Sequence, residues 1–224
     1  MNFCGNSSNT VALTFDDGPN TEMTPFILDE LKELGIQATF FLSTNARGNA
    51  NREQCSLVER IVNEGHEIQV HTFSHHTLTS ESLEFLDNDL DKNLGWVAGC
   101  AGANRSQMTL DHFRPPFGEH EAEHTTLLNE KGYILSMWNL DTNDWRNGNI
   151  DAMLSELETQ YGAETQKSSI VLMHDHVYSE GNLKRIVDFF PSGTNFVTSS
   201  SCYEQCGENV CDDVGNANAT PIRR

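Results

Sequence analysis

Basic residues are scarce. The 224-residue chain has 14 Lys and Arg against 33 Asp and Glu, a formal net charge of −19. Such a surface repels phosphate backbones and anionic membrane faces, so nucleic acid is not an expected partner. A neutral polymer is not repelled, and one that becomes cationic is attracted; solubility alone would also account for the charge. No apolar run approaches the roughly 18 residues of a membrane span. The first ten residues lack the apolar core of a secretion signal, as in a processed chain preceded by an added Met1. No internal repeat and no low-complexity tract is found beyond a polar tail. With 37% hydrophobic residues, the chain can bury a substantial core.

Six cysteines are present, Cys4, Cys55, Cys100, Cys202, Cys206 and Cys211, without the spacing of a zinc knuckle. The last three lie in a Gly/Asn/Asp-rich tail with little apolar content, where disulfides substitute for a core. Sequons occur at Asn6, Asn104 and Asn218. Together these features point to an oxidising, extracytoplasmic location; sequence alone does not choose the pairing.

Strand-length apolar runs alternate with helix-like segments. Strands are expected at Val11–Phe15, Ala38–Leu42, His66–Val70, His112–Phe113, Tyr133–Leu140, Ser169–Met173 and near Asn195–Thr198. Helices are expected over Thr24–Leu34, Glu53–Asn63, Ser80–Leu94, Glu121–Lys131, Ile150–Tyr161 and Leu183–Phe190, the third ending at Gly95 and followed by a surface loop near 99–111. This order predicts an α/β domain with a parallel sheet of about seven strands, closed into a distorted (β/α) barrel rather than open.

Reactive residues follow the strands. Val11–Phe15 leads into Asp16 and Asp17, His66–Val70 into His71 and His75, Phe113 into Arg114, the Tyr133 strand into Asp141 and Asp144, and Ile170–Met173 into His174. Active sites of parallel α/β folds gather at that end of the sheet. His71 and His75, four apart, would share one face of a helical turn, and an aspartate from the first strand would complete a two-histidine, one-carboxylate metal set with open positions. Each motif also has a plainer reading. The histidines could cap or be solvated, Asp16-Asp17-Gly18-Pro19 could be a tight turn, and His174 could be a satisfied buried histidine. Arg114, beside its proline pair, could simply form a salt bridge.

Five segments in order nevertheless resemble the polysaccharide deacetylase family, carbohydrate esterase family 4. They are Thr14-Phe15-Asp16-Asp17-Gly18-Pro19, His71-Thr72-Phe73-Ser74-His75, Arg114-Pro115-Pro116-Phe117, Asp141-Thr142-Asn143-Asp144-Trp145 and Leu172-Met173-His174. The resemblance runs from Val11 to about Thr198. It implies a barrel of fewer than eight strands. Asp17, His71 and His75 would bind one divalent ion, zinc in the first place and cobalt as an alternative. It makes Asp16 the general base and His174 the general acid, with Arg114 tuning Asp16 and Asp144 tuning His174. Trp145 and Leu172 would wall the acetyl methyl group, and Pro116 would also bind substrate. Phe117 stands where the family usually has Tyr; its backbone N–H would still serve an oxyanion.

The expected activity is hydrolysis of N-acetyl groups on an acetylated amino-sugar polymer or oligomer by a secreted, extracellular or cell-wall enzyme, monomeric by default. Chitin or chitooligosaccharide is the first substrate, with peptidoglycan and acetylated xylan as alternatives. A silent wall-binding protein and a metal-free amide hydrolase are the competing classes, and the intact set of ligands, acid and base argues against both. Residues 1–200 are expected to form the catalytic domain and 201–224 a Cys-containing polar tail.

Overall fold

The computed structural model describes residues 9–43, 51–161, 168–175 and 181–204. Strands and helices alternate as β1 (Thr10–Asp16), α1 (Thr24–Leu34), β2 (Thr39–Leu42), α2 (Arg52–Asn63), β3 (Glu67–Val70), α3 (Leu83–Ala101), β4 (His112–Phe113), α4 (Ala122–Glu130), β5 (Ile134–Leu135), β6 (Leu140–Asp141), α5 (Asp144–Asn147), α6 (Ile150–Gln160), β7 (Ser168–His174), α7 (Asn182–Phe189), β8 (Asn195–Val197) and α8 (Ser199–Glu204). No described helix is long and apolar enough to cross a membrane.

Seven strands form one path, β5-β4-β3-β2-β1-β7-β6, and every pairing is parallel. β1 gives one whole edge to β7. Its other edge is shared: β8 takes Thr10 to Ala12 and β2 takes Thr14 to Asp16. The two ends of the path, β5 and β6, are consecutive in the chain. From Leu135 to Leu140 the backbone can reach only about 17 Å, whereas a flat sheet of this width would separate its edge strands by roughly 29 Å. The sheet must therefore curl into an incomplete barrel, the distorted barrel that the β/α rhythm predicts.

Strand alternation sorts the two faces. Leu13 and Phe15 of β1, Phe40 and Leu42 of β2, and Val171 and Met173 of β7 pack with Ile27, Leu31, Val58, Ile61 and Ile186 of the surrounding helices in the main apolar cluster. The opposite face mixes apolar residues such as Ala12, Phe41 and Ile170 with buried polar ones. Glu67 accepts from Thr39 Oγ1 at 2.6 Å, Gln69 Nε2 at 2.9 Å and the Ser200 amide at 3.2 Å. α8 thus closes the barrel floor, with Cys202 fully buried. The tail expected from residue 201 begins inside this helix; residues 205–224 lie outside the described residues.

Three local readings are corrected. α3 does not end at Gly95 but runs to Ala101, because Val97, Cys100 and Ala101 bury against the core and a Cys55–Cys100 disulfide ties α3 to α2. The long strand expected over 133–140 is two short ones, since Ser136 to Asn139 bridge the gap between the sheet edges. α5 and α8 were not anticipated. Cys202 is also disulfide-bonded, but Cys4, Cys206, Cys211 and the sequons at Asn6 and Asn218 lie outside the described residues.

Candidate active site

The strand ends bring the predicted residues together at one mouth of the barrel. In register, Asp16 of β1 stands beside His174 of β7. Asp17 follows with φ 74° and points Oδ1 at the Nε2 atoms of His75 and His71, at 2.9 and 3.4 Å. The two imidazoles converge through a loop and not a helical turn: Thr72 and His75 have φ 65° and 58°. The helical expectation fails because left-handed residues break the turn, and each non-glycine residue held there costs of order 1–3 kcal/mol.

Side chains of α3, which sequence reasoning missed, hold that loop. Asp89 Oδ2 accepts from the Phe73 and Ser74 amides at 2.7 and 3.1 Å. Asn93 Nδ2 donates to the Leu42 and Thr72 carbonyls at 2.9 and 2.5 Å. Both are buried on the same helix face as Leu86 and Leu90. Polar residues four apart inside an apolar stripe were the available signal.

Asp17, His71 and His75 fit a divalent ion. Each offers one donor atom, and the three atoms lie within 4.8 Å of one another. Tetrahedral zinc with bonds of about 2.0–2.1 Å needs donor separations of roughly 3.3 Å, close to those seen. His71 Nδ1 donates to the Arg114 carbonyl at 2.7 Å, which fixes the tautomer and leaves Nε2 as the ligand atom. Burial would raise the Asp17 carboxyl, but hydrogen bonding and charge from His71 and His75 hold it well below the usual carboxylate range.

Arg114 is fully buried, stacked 3.9 Å over Phe41. Its Nη1 donates to Asp16 Oδ1 at 2.7 Å and Thr14 Oγ1 at 2.8 Å, and its Nε to the Ser136 carbonyl at 2.9 Å. The guanidinium thereby fills the barrel gap and orients Asp16, whose Oδ2 stands 3.8 Å from His71 Nε2. Across the cleft, Asp144 is fully buried and accepts from His174 Nδ1 at 2.8 Å and from the His174 amide at 2.6 Å. Burial lowers the His174 pKa, but the Asp144 hydrogen bond and charge, with Asp16 and Asp17 behind, raise it to about 9.

The expected substrate contacts divide. Trp145 is 51% exposed and Phe117 62%, its ring edge-on to His75 with centroids 4.8 Å apart. Phe117 has φ 61° within the 3-10 turn Pro116–Gly118, where its N–H has no partner inside the turn. Pro116 is buried beside it. Leu172 is buried on the His174 face of β7, two residues before the imidazole.

A family model described as polysaccharide deacetylase matches residues 5–135. The chain is 32% identical over 205 residues to a peptidoglycan-N-acetylglucosamine deacetylase of Bacillus cereus, covering 88% of this chain and 70% of that protein. It is 31% identical over 172 residues to a chitooligosaccharide deacetylase of Sinorhizobium fredii, covering 76% and 74%. The solved chitin deacetylase of the fungal pathogen Colletotrichum lindemuthianum superposes with a TM-score of 0.76 at 26% identity, over 91% of each chain.

Proposed function

Because the chain belongs to the polysaccharide deacetylase family, we propose that it is a metal-dependent hydrolase that removes N-acetyl groups from the N-acetylglucosamine units of chitin or chitooligosaccharides, releasing acetate. One observation carries the reading: a three-donor metal triad adjoins two hydrogen-bonded pairs, Asp16 with Arg114 and His174 with Asp144. Amide hydrolysis needs both a base for water and an acid for the amine, and the two pairs offer one candidate for each.

A divalent ion held by Asp17, His71 and His75 would supply Lewis acidity, polarising the acetyl carbonyl and acidifying a water. Asp16, fixed by Arg114, takes the proton of the attacking water. The Phe117 N–H faces the oxygen that gains charge as the carbon becomes tetrahedral. His174, with Nδ1 committed to Asp144, carries its transferable proton on Nε2 and gives it to the departing amine. Half-exposed Trp145 and buried Leu172 form apolar walls for the acetyl methyl group.

Chitin is favoured by a secreted reading of the chain, which rests on the sequons and the Cys55–Cys100 bridge. Peptidoglycan is the second reading, favoured by the identity to the Bacillus cereus enzyme. The test is acetate release from N-acetylglucosamine oligomers and from peptidoglycan, with zinc or cobalt and again after chelation. Metal-dependent release from the oligomers is the expected result. Release from peptidoglycan alone moves the substrate, and no release from either with metal bound favours a silent binding protein.

A further inference from the structure

The mechanism leaves Asp175 unused, although it follows the acid His174 and is fully buried. Its Oδ2 accepts from the Asn20 amide at 2.9 Å and from Thr24 Oγ1 at 2.5 Å. Asn20 and Gly18 belong to the turn that leaves β1 through Asp17. Gly18 is pressed so closely on the Asp175 carboxyl that a Cβ there would collide with it. This explains a glycine at a position whose backbone is not left-handed. The same turn is tied at two other points, Ser43 N–H to the Gly18 carbonyl at 3.1 Å and Gln54 Nε2 to the Pro19 carbonyl at 3.0 Å.

Asp17 sits at the start of this turn with φ 74°, a conformation that a non-glycine residue keeps only when its surroundings impose it. We propose that Asp175 is a positioning residue for the metal site: its carboxyl group packs beneath Gly18 and grips Asn20, and so holds Asp17 Oδ1 where it meets His71 and His75. The inference rests on the metal reading of that triad. It also couples the two halves of the site. His174 is locked to Asp144 on one side of the cleft, and the next residue locks the turn that carries the ion's carboxylate on the other. The plainer alternative is that Asp175 only secures the first turn of α1 through Thr24, which would give it a role in stability and none in metal affinity.

The two roles separate in zinc affinity, measured by competition with a chromophoric chelator well below the melting temperature and alongside Tm. Asp175→Asn keeps the shape of the side chain and changes its charge and donor pattern. It is expected to weaken zinc binding by about 10- to 100-fold, the usual range for a group that orients a metal ligand. Saturating zinc should then restore much of kcat. Parental zinc affinity in Asp175→Asn, with or without a lower Tm, overturns the proposal. If that variant does not fold, Asp175→Ser decides, because it removes the carboxyl beneath Gly18: weaker zinc binding supports the role and parental affinity overturns it. Failure of the parent protein to bind zinc overturns the metal reading itself, and this proposal with it.

Discussion

The backbone carbonyl of Arg114 accepts from His71 Nδ1 at 2.7 Å, while the guanidinium of the same residue holds Asp16 at 2.7 Å. One residue therefore orients the proposed metal ligand His71 with its main chain and the proposed base Asp16 with its side chain. The two services are separable by mutation. Arg114→Met keeps the carbonyl and removes the charge, so zinc affinity should persist while turnover collapses. The uncompensated Asp16 should also cost stability, about 3–5 kcal/mol for one half of a buried pair. Urea denaturation and chelator competition on the same sample check both halves. Loss of zinc affinity in a folded variant would contradict the division of labour.

Asp16 and Asp17 are neighbours with different assignments. Asp16→Asn should lower kcat by about 10²- to 10⁴-fold, the range for a general base, and leave the bound metal in place. Asp17→Asn should lose the metal. Metal content after desalting, measured with kcat, tests the pair. Full activity in Asp16→Asn would remove it as the base.

Much of this site is visible in the sequence because it lies at strand ends. Asp16, His71, Arg114 and His174 each follow an apolar run, and the parallel fold gathers those points. The loop geometry is not visible. Thr72 and His75 adopt left-handed backbone without being glycine, and their support comes from Asp89 and Asn93, which read as ordinary polar positions of a helix. Met137 and Trp138 likewise look like strand residues. They instead span the barrel gap, where the Met137 carbonyl faces the Arg114 guanidinium. Such features depend on contacts distant in the chain.

As the proposed acid, His174 should set the alkaline limit of activity. Its folded pKa of about 9 lies above the ordinary histidine value, so the protonated acid persists through neutral pH. Activity should fall as pH rises through about 9. In Asp144→Asn the largest raising partner is gone, and the alkaline limb of the kcat–pH profile should move down toward the ordinary value of about 6.5. The sign for stability is the same. A raised pKa contributes stability that is present in full below the unfolded value and lost as pH climbs through the folded one. Urea midpoints on either side of that window should show a fall in the parent and a smaller one in Asp144→Asn. An unmoved limb in the variant would separate His174 from the acid role.

The Cys55–Cys100 bridge closes a segment of 45 residues. Loop-closure entropy assigns such a cross-link about 4 kcal/mol. A Cys55→Ser, Cys100→Ser double variant should therefore melt well below the parent in calorimetry. Its kcat at 25 °C should be close to the parental value, because the bridge touches none of the catalytic groups.

Asp89 gives the sharpest test of how the histidine loop is held. Its Oδ2 is the acceptor for two consecutive amides, those of Phe73 and Ser74, at the centre of the segment from His71 to His75. Asp89→Ala leaves those amides to find other partners in a buried site, at about 1–3 kcal/mol for each left unsatisfied. With Asn93 on the Thr72 carbonyl as the remaining anchor from α3, the left-handed Thr72 and His75 can relax toward ordinary backbone, which would draw the imidazoles apart. The variant should bind zinc about tenfold or more weakly. Zinc binding to the folded state should nevertheless stabilise the variant by mass action, about 2.7 kcal/mol at a free concentration 100 times its own Kd. Melting curves across a zinc titration would show a gap from the parent that widens as the parent's tighter site fills first, then levels off about 1.4 kcal/mol above its metal-free value for a tenfold loss of affinity. A gap that stays constant at every zinc concentration would mean that Asp89 supports the fold but not the geometry of the ligands.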